Sequence, residues 1–344
     1  MRILVIKPSS LGDILHTFPS IALIRENVPD IEYLDWVAND SLAEVVTLCP
    51  GVDRVISFPR KSGFSLRALY RFVKELRQRE YDIVIDYQGL LRSGLMAACR
   101  RNSVRWGFAN AREGAALFYD VRYKLNNLSA HALLKNLELT RAVFQLPEGP
   151  VPEPKLQIPA AAREHLKTIY QPEKDSPTVA VCFSSRWKSK NWPIDFFAKT
   201  LDALQKMQGD FNCVLVGGKD NQEEGERLAS LATGARPVNL AGKTTLPELA
   251  ALLSDAHVLF TVDSGPMHIA AAAGTPCVAL FGATTPGLTG PFGPEGFHTI
   301  VTSQCPKAPC MQKACPLGKE CSEGTSPESV ARQIQPYLTT RRMK

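Results

Sequence analysis

The sequence predicts an α/β protein made of two doubly wound halves, and three observations carry that prediction. Short apolar runs alternate with helix-length amphipathic patterns along the chain, the signature of strands layered with helices. The alternation comes in two series, separated at residues 147–154 by four prolines in eight residues. Such a stretch cannot pack as a helix or central strand and reads as an extended linker. Finally, turns rich in small residues sit at the ends of apolar runs, where ligands bind in open α/β sheets.

The first series opens with strands at 3–6, 33–37, 55–58 and 83–85, and helices near 14–27, 40–48, 65–79 and 89–100. The second has strands at 178–183, 213–216, 258–262 and 277–281, and helices near 194–208, 222–232, 245–254 and 266–273. A further helical pattern covers 327–338. The expected domains are therefore 1–158 and 159–325, with 326–344 as a terminal helical segment packing back on the first half. The chain has 344 residues, 44% hydrophobic and 22% charged, enough for two ordinary cores without extensive disorder.

No apolar run reaches eighteen residues, which excludes an ordinary spanning helix. The opening Met1-Arg2-Ile3-Leu4-Val5-Ile6-Lys7 lacks a signal peptide's longer apolar region and cleavage site, so a cytoplasmic location is expected. Of the net charge of +6, residues 1–170 carry +5 (23 basic against 18 acidic). Residues 54–79 hold eight basic side chains and one acid, Glu75. A solvated helix face explains most such patterns. The alternative is a docking surface for an anionic partner: phospholipid, phosphorylated glycolipid or nucleic acid. No nucleic-acid-binding motif is present. Cys49, Cys99, Cys182, Cys213 and Cys277 read as buried thiols of a reducing compartment. Cys305, Cys310, Cys315 and Cys321 are spaced more widely than zinc-binding pairs, so structural thiols are expected over a metal site.

Three turns carry chemistry. Val262-Asp263-Ser264-Gly265-Pro266-Met267-His268 joins a buried strand to a helix, with Pro266 suited to the first helical position. Bare N–H groups at a helix N-terminus form an anion site. Asp263 would repel a phosphate and instead suits neutral hydroxyls beside one, while His268 can donate or switch charge near neutral pH. Lys7-Pro8-Ser9-Ser10-Leu11-Gly12-Asp13 follows the first strand, and Asp13 is either a helix N-cap or a general base at a cleft edge. Ser184-Ser185-Arg186-Trp187-Lys188-Ser189-Lys190-Asn191-Trp192-Pro193 offers hydroxyls and ammonium groups for a phosphate, and its two tryptophans point to ligand or interdomain contact. Gly217-Gly218 followed by Glu223 could approach a ribose or simply open an acid-rich surface helix. There is no Asp-x-Asp, no Gly-x-Ser-x-Gly elbow and no Walker loop, which disfavours metal-dependent sugar-nucleotide, serine hydrolase and NTPase readings.

Together these residues resemble the family 9 glycosyltransferases, the ADP-heptose:lipopolysaccharide heptosyltransferases. The resemblance rests on Lys7-x-Ser9-Ser10-x-Gly12-Asp13-x-x-His16, Lys190-x-Trp192-Pro193, and Asp263-Ser264-Gly265-x-x-His268 with Phe281-Gly282-x-Thr284-x-Pro286-Gly287. Asp86-Tyr87-Gln88-Gly89-Leu90 with Ala111-Arg112-Glu113 is similar to heptosyltransferase I, and the cysteine-bearing tail to heptosyltransferase II. The resemblance implies a GT-B fold, two Rossmann-like domains facing a central cleft, with inverting, metal-independent transfer of heptose from ADP-heptose and no cofactor. The implied acceptor is Kdo-lipid A or inner-core lipopolysaccharide, met at the cytoplasmic face of the inner membrane by a peripheral enzyme. Asp13 matches the general base and Lys190 the lysine meeting the departing ADP. The loop before it is one residue longer than in some members, so Lys188 is the alternative. The implied donor site is Ser184, Ser185, Lys190, Glu223, Asp263, Ser264, Gly265 and His268. Ser10, Gly12, Arg60, Lys61, Arg112 and His131 fall where the family contacts its acceptor. The competing readings are another GT-B transferase, a sugar-nucleotide epimerase, or a non-catalytic nucleotide-sugar or anionic-lipid binding protein.

Overall fold

The computed structural model describes residues 1–60, 65–100, 102–153, 155–315 and 324–339. The chain divides into two compact units, Met1–Gln157 and Ile158–Lys344. Among the described residues, the strands of each form one six-stranded parallel sheet.

In chain order the first unit comprises β1 (Arg2–Ile6), α1 (Leu11–Leu15), α2 (Phe18–Asn27), β2 (Tyr33–Asn39), α3 (Ala43–Val46), β3 (Arg54–Phe58) and α4 (Leu66–Leu76). It continues with β4 (Ile83–Asp86), α5 (Leu91–Ala98), β5 (Val104–Phe108), β6 (Val121–Tyr123) and α6 (Ala132–Phe144). The sheet order is β3-β2-β1-β4-β5-β6. Residues Ile3 to Ile6 of β1 are wholly buried, as a central parallel strand with both faces covered requires. The expected helix 14–27 is two helices. It starts earlier, at Leu11, and breaks where Pro19 supplies no N–H and the Thr17 hydroxyl donates to the Asp13 carbonyl at 2.9 Å. The segment near 40–48 is a 3₁₀ turn followed by the four-residue α3.

The second unit comprises α7 (Ala160–Ile169), β7 (Thr178–Cys182), α8 (Ile194–Gln208), β8 (Asn212–Leu215), α9 (Gln222–Leu231), β9 (Val238–Asn239) and α10 (Leu246–Asp255). After these come β10 (Val258–Val262), α11 (Gly265–Ala272), β11 (Cys277–Phe281), α12 (Pro286–Thr289), β12 (Thr299–Thr302), α13 (Pro327–Ile334) and α14 (Pro336–Thr339). The order β12-β11-β10-β7-β8-β9 repeats that of the first sheet. Its core joins Val179, Val181, Phe197, Leu201 and Phe260. Trp192 belongs there too, only 3% exposed, edge-on to Phe197 at 5.4 Å and Phe260 at 6.2 Å. That corrects its reading as a ligand or interdomain contact. The terminal segment, expected to return to the first half, contributes Val330, Ala331, Ile334 and Leu338 to this same core. Their apolar side chains leave water there at every helical turn, which anchors α13 on the second unit.

The proline segment is held by Arg141, whose guanidinium donates to the carbonyls of Pro147 at 3.1 Å and Gly149 at 2.8 Å. Cys305, Cys310 and Cys315 are half-buried free thiols, and Cys321 lies outside the described residues. Among the described residues no cluster of three metal-ligating side chains occurs, and no helix is long and apolar enough to cross a membrane.

Candidate active site

Each sheet reverses its strand order once, between β1 and β4 in the first unit and between β7 and β10 in the second. Loops leaving those carboxyl ends run to opposite sides and open a crevice, the usual ligand position in this architecture. The register puts Ile6 level with Asp86, and Thr261 level with Cys182, so the chemistry-bearing turns emerge side by side.

In the second unit, Asp263 follows β10 and is only 4% exposed. Its Oδ2 lies 2.6 Å from the Lys190 ammonium and accepts from the Thr284 hydroxyl at 2.5 Å. A buried carboxylate is tolerated only when so paired. The sequence left Asp263 as a charge repelling phosphate, and the structure shows that charge matched by Lys190. Lys188 is exposed, whereas Lys190 also lies 4.8 Å over the Trp187 ring. Two residues further on, Trp192 is sunk in the core and Pro193 stands at the N-cap of α8, so this anchored stretch fixes the lysine.

Ser264 is the N-cap of α11, which starts at Gly265, one residue before the expected Pro266. Its hydroxyl does not cap the helix; it meets the Thr261 hydroxyl at 3.0 Å and donates to the Cys182 sulfur at 3.4 Å. Burial pushes the Cys182 thiol up, keeping it neutral in that bridge. The first N–H groups of α11 therefore lack the side-chain cap that usually satisfies them. Ser184 is held by Asn221, whose Nδ2 donates to Ser184 Oγ at 2.8 Å while its Oδ1 accepts from the Gly218 N–H at 3.1 Å. The Ser185 N–H donates to Asn191 Oδ1 at 2.8 Å. Glu223 is exposed in the first turn of α9, and His268 is buried in α11.

In the first unit Ser10, not Asp13, is the N-cap of α1. Asp13 is the third helical residue, and its Oδ2 accepts from the Ser10 N–H at 2.8 Å and the Ser10 hydroxyl at 2.7 Å. This is the reciprocal half of a capping box, which fixes the carboxylate at the end of β1. Gly12 is buried within the same turn. Asn136 of α6 braces it by donating to Thr17 Oγ1 at 3.0 Å, and the His131 ring lies edge-on to His16 at 4.8 Å.

Beside this turn a cavity of about 240 Å³ is lined by Lys7, Gln88, Arg112, Lys135 and Asn136, among others. Lys7 donates to the Tyr87 carbonyl at 2.9 Å, and the Ser9 N–H donates to Gln88 Oε1 at 3.2 Å, joining the loops after β1 and β4. Beneath them Asp86 accepts from the Gln88 and Gly89 N–H groups at 2.8 and 3.2 Å and from the Tyr119 hydroxyl at 2.6 Å. Burial raises the Asp86 carboxyl above its ordinary range, against the pull of those donors. Arg60 is exposed after β3. Arg92, over the Phe58 ring at 5.3 Å, has its affinity for a proton lowered by burial and by the like charge of Arg60. Lys61 lies outside the described residues.

The structure thus gathers Ser184, Lys190, Asp263, Ser264 and Gly265 in one unit, and Ser10, Gly12, Asp13 and His131 in the other, with Arg112 on the cavity and Arg60 beside Arg92. Sequence reasoning did not assign Thr284, Asn221, Arg92, Lys7 or Gln88 to the sites. Thr284, Lys7 and Gln88 stand inside the motifs that carry the resemblance, and Asn221 in the loop after Gly217-Gly218; the contacts of Asn221 with Ser184 and of Arg92 with Phe58 join distant parts of the chain, which no local pattern shows.

The glycosyltransferase family 9 (heptosyltransferase) model matches residues 69–320. The chain is 31% identical to lipopolysaccharide heptosyltransferase 1 of Pseudomonas aeruginosa, over 98% of both chains. It is similar to the solved structure of Escherichia coli heptosyltransferase WaaC with ADP, at a TM-score of 0.77 and 26% identity over 98% of this chain and 100% of that one. The same enzyme with ADP-2-deoxy-2-fluoro heptose matches at a TM-score of 0.76 and 25% identity, over 98% and 99%. Two parallel six-stranded sheets matching these structures make the fold GT-B-like α/β. With a family model covering most of its length and a relative matched end to end, the chain is an enzyme of glycosyltransferase family 9, the heptosyltransferases.

Proposed function

We propose that the protein transfers L-glycero-D-manno-heptose from ADP-heptose to the Kdo of the lipopolysaccharide inner core, with inversion and without a metal. The Lys190–Asp263–Thr284 cluster beside the N-terminus of α11 carries this reading. It combines a cation and backbone N–H donors for a diphosphate with a carboxylate for sugar hydroxyls. The name of the Pseudomonas aeruginosa relative favours the type 1 acceptor. The ADP and ADP-sugar analogue bound by the WaaC structures favour the donor.

Asp13 takes the proton of the acceptor hydroxyl as its oxygen bonds to the anomeric carbon. The bond from that carbon to the β-phosphate oxygen breaks, and ADP leaves with the electron pair. A single displacement inverts the anomeric centre. The transition state places positive charge on the sugar and growing negative charge on the phosphate. Lys190 and the α11 N–H groups meet that negative charge as it develops, the interaction that contributes most to catalysis. Ser184 and Ser185 hold donor phosphate oxygens, Ser264 and Gly265 present N–H groups to the diphosphate, and Glu223 reaches the ribose. Lys7, Arg112 and Lys135 around the cavity, with Arg60 and Arg92, suit an acceptor bearing carboxylate and phosphate groups.

Incubation with ADP-heptose and Kdo-lipid A should add one heptosyl mass to the acceptor, with EDTA present or absent. An acceptor of unchanged mass after incubation would sink the proposal.

A further inference from the structure

We infer that the outward face of α4 is a docking surface for an anionic phospholipid bilayer. The face belongs to neither candidate site. Ser65 caps the helix, its hydroxyl accepting from the Ala68 N–H at 3.0 Å, and Phe72 and Leu76 are buried in the first unit's core with Leu69 and Val73 packed against it. At about 100° per residue, the opposite arc spans about 140° and carries Leu66, Tyr70, Arg67, Arg71, Lys74 and Arg77. No acid lies within that arc; Glu75 stands beyond its edge.

Scattered exposed apolar residues are ordinary. Here Leu66 is 86% exposed and Tyr70, one turn on, 69%. Four cations flank them. That pairing of protruding apolar side chains with basic ones is what an interfacial helix uses. The apolar side chains enter the headgroup boundary while the basic ones meet lipid phosphates. Charge complementarity selects an anionic membrane over a neutral one, and the protruding Leu66 and Tyr70 among the cations suit a bilayer's headgroup boundary. The layer continues beyond α4. Met96 and Ala97 of α5 belong to the same core cluster as Phe72, so both helices cover one sheet face. Leu91 and Leu95 of α5 are 42% and 49% exposed, and Leu117 is 75% exposed. The 3₁₀ turn bearing Leu117 packs on α5 at Gly94, where a Cβ would meet Phe118 at 2.9 Å. A bilayer is where the lipid-borne acceptor of the proposed function would be met, so the inference rests on that reading for its purpose, though not for its measurement.

The test is flotation of the full chain with extruded phosphatidylcholine vesicles, with and without phosphatidylglycerol, in the absence of donor and acceptor. Binding should require phosphatidylglycerol and weaken as salt rises. Each basic residue near an anionic surface contributes about five-fold in partitioning. The triple variant R67A/R71A/K74A should therefore lose at least about ten-fold, and L66S/Y70S several-fold. Both should keep the wild-type circular dichroism, melting temperature and ADP affinity, which separates lost docking from lost folding. Equal binding to neutral vesicles, no binding to anionic ones, or variants that bind like wild type would overturn the inference. So would capture of transfer RNA as tight as that of anionic vesicles, which would reveal a general polyanion surface. Vesicle binding without heptosyl transfer would count against the proposed function and leave the docking surface standing.

Discussion

The Lys190 ammonium and the Asp263 carboxylate, 2.6 Å apart and largely buried, cancel much of each other's charge before any ligand arrives. Removing one partner of such a pair leaves an uncompensated buried charge. Lys190→Ala should therefore destabilise the protein by about 3 kcal/mol in denaturant titrations. It should also lower turnover by about 100-fold or more, because charge on the leaving ADP loses its counterpart. Adding Asp263→Asn should restore much of the stability and none of the turnover. Asp13→Ala should abolish transfer while ADP binding by calorimetry stays at wild-type strength; near-normal turnover in that variant would remove Asp13 from the mechanism. His298 sets a pH limit away from the site. Burial pushes it down to about 4, and its Nδ1 accepts from the Cys277 N–H at 3.1 Å, a bond only the neutral ring can make. The unfolded chain protonates near its ordinary value, so this contribution is complete above about pH 6.5 and fades as pH falls toward the folded value. Stability at pH 5 should be lower than at pH 7 by up to about 2 kcal/mol from this group. His298→Asn, which keeps an acceptor and cannot titrate, should flatten that dependence.

Among the elements, β5 and β6 show what the sequence conceals. Their side chains are mostly half-exposed, so they leave no continuous apolar run, whereas the buried β1, β7, β10 and β11 do. The α1–α2 break is similar: one amphipathic pattern spans both helices, and the interruption depends on Pro19 and a Thr17 hydroxyl bond. Packing between elements also restricts residues that look interchangeable. A Cβ on Gly107 of β5 would run into the Tyr119 ring. Gly107→Ala should therefore cost about 2 kcal/mol, read from urea midpoints. By shifting Tyr119 off Asp86 it should loosen the Gln88–Gly89 turn and raise the KM for acceptor, with the ADP Kd unchanged. A variant whose donor and acceptor constants rise together would contradict that division.

For the molecule as a whole, the proposed function divides donor and acceptor recognition between the two units. ADP alone should slow amide exchange, read by mass spectrometry, in the turns at 184–190, 217–223 and 263–268. Protection of equal size in the 7–13 turn would argue against that division. At a hundred-fold excess over its Kd, ADP should also stabilise the fold by about 2.7 kcal/mol. The sequence by itself determined the α/β class, the two halves, the proline segment between them and the turns that carry the chemistry. These follow from hydrophobic period, helix punctuation and small residues at strand ends, all properties of neighbours along the chain. Only the tertiary structure decided that Lys190 rather than Lys188 meets Asp263, that Thr284 and Asn221 complete that corner, that Ser10 orients Asp13, and that Trp192 is core. Those meetings depend on strand order and register within each sheet, which bring together residues as far apart as 190, 263 and 284 and leave no trace in any local pattern.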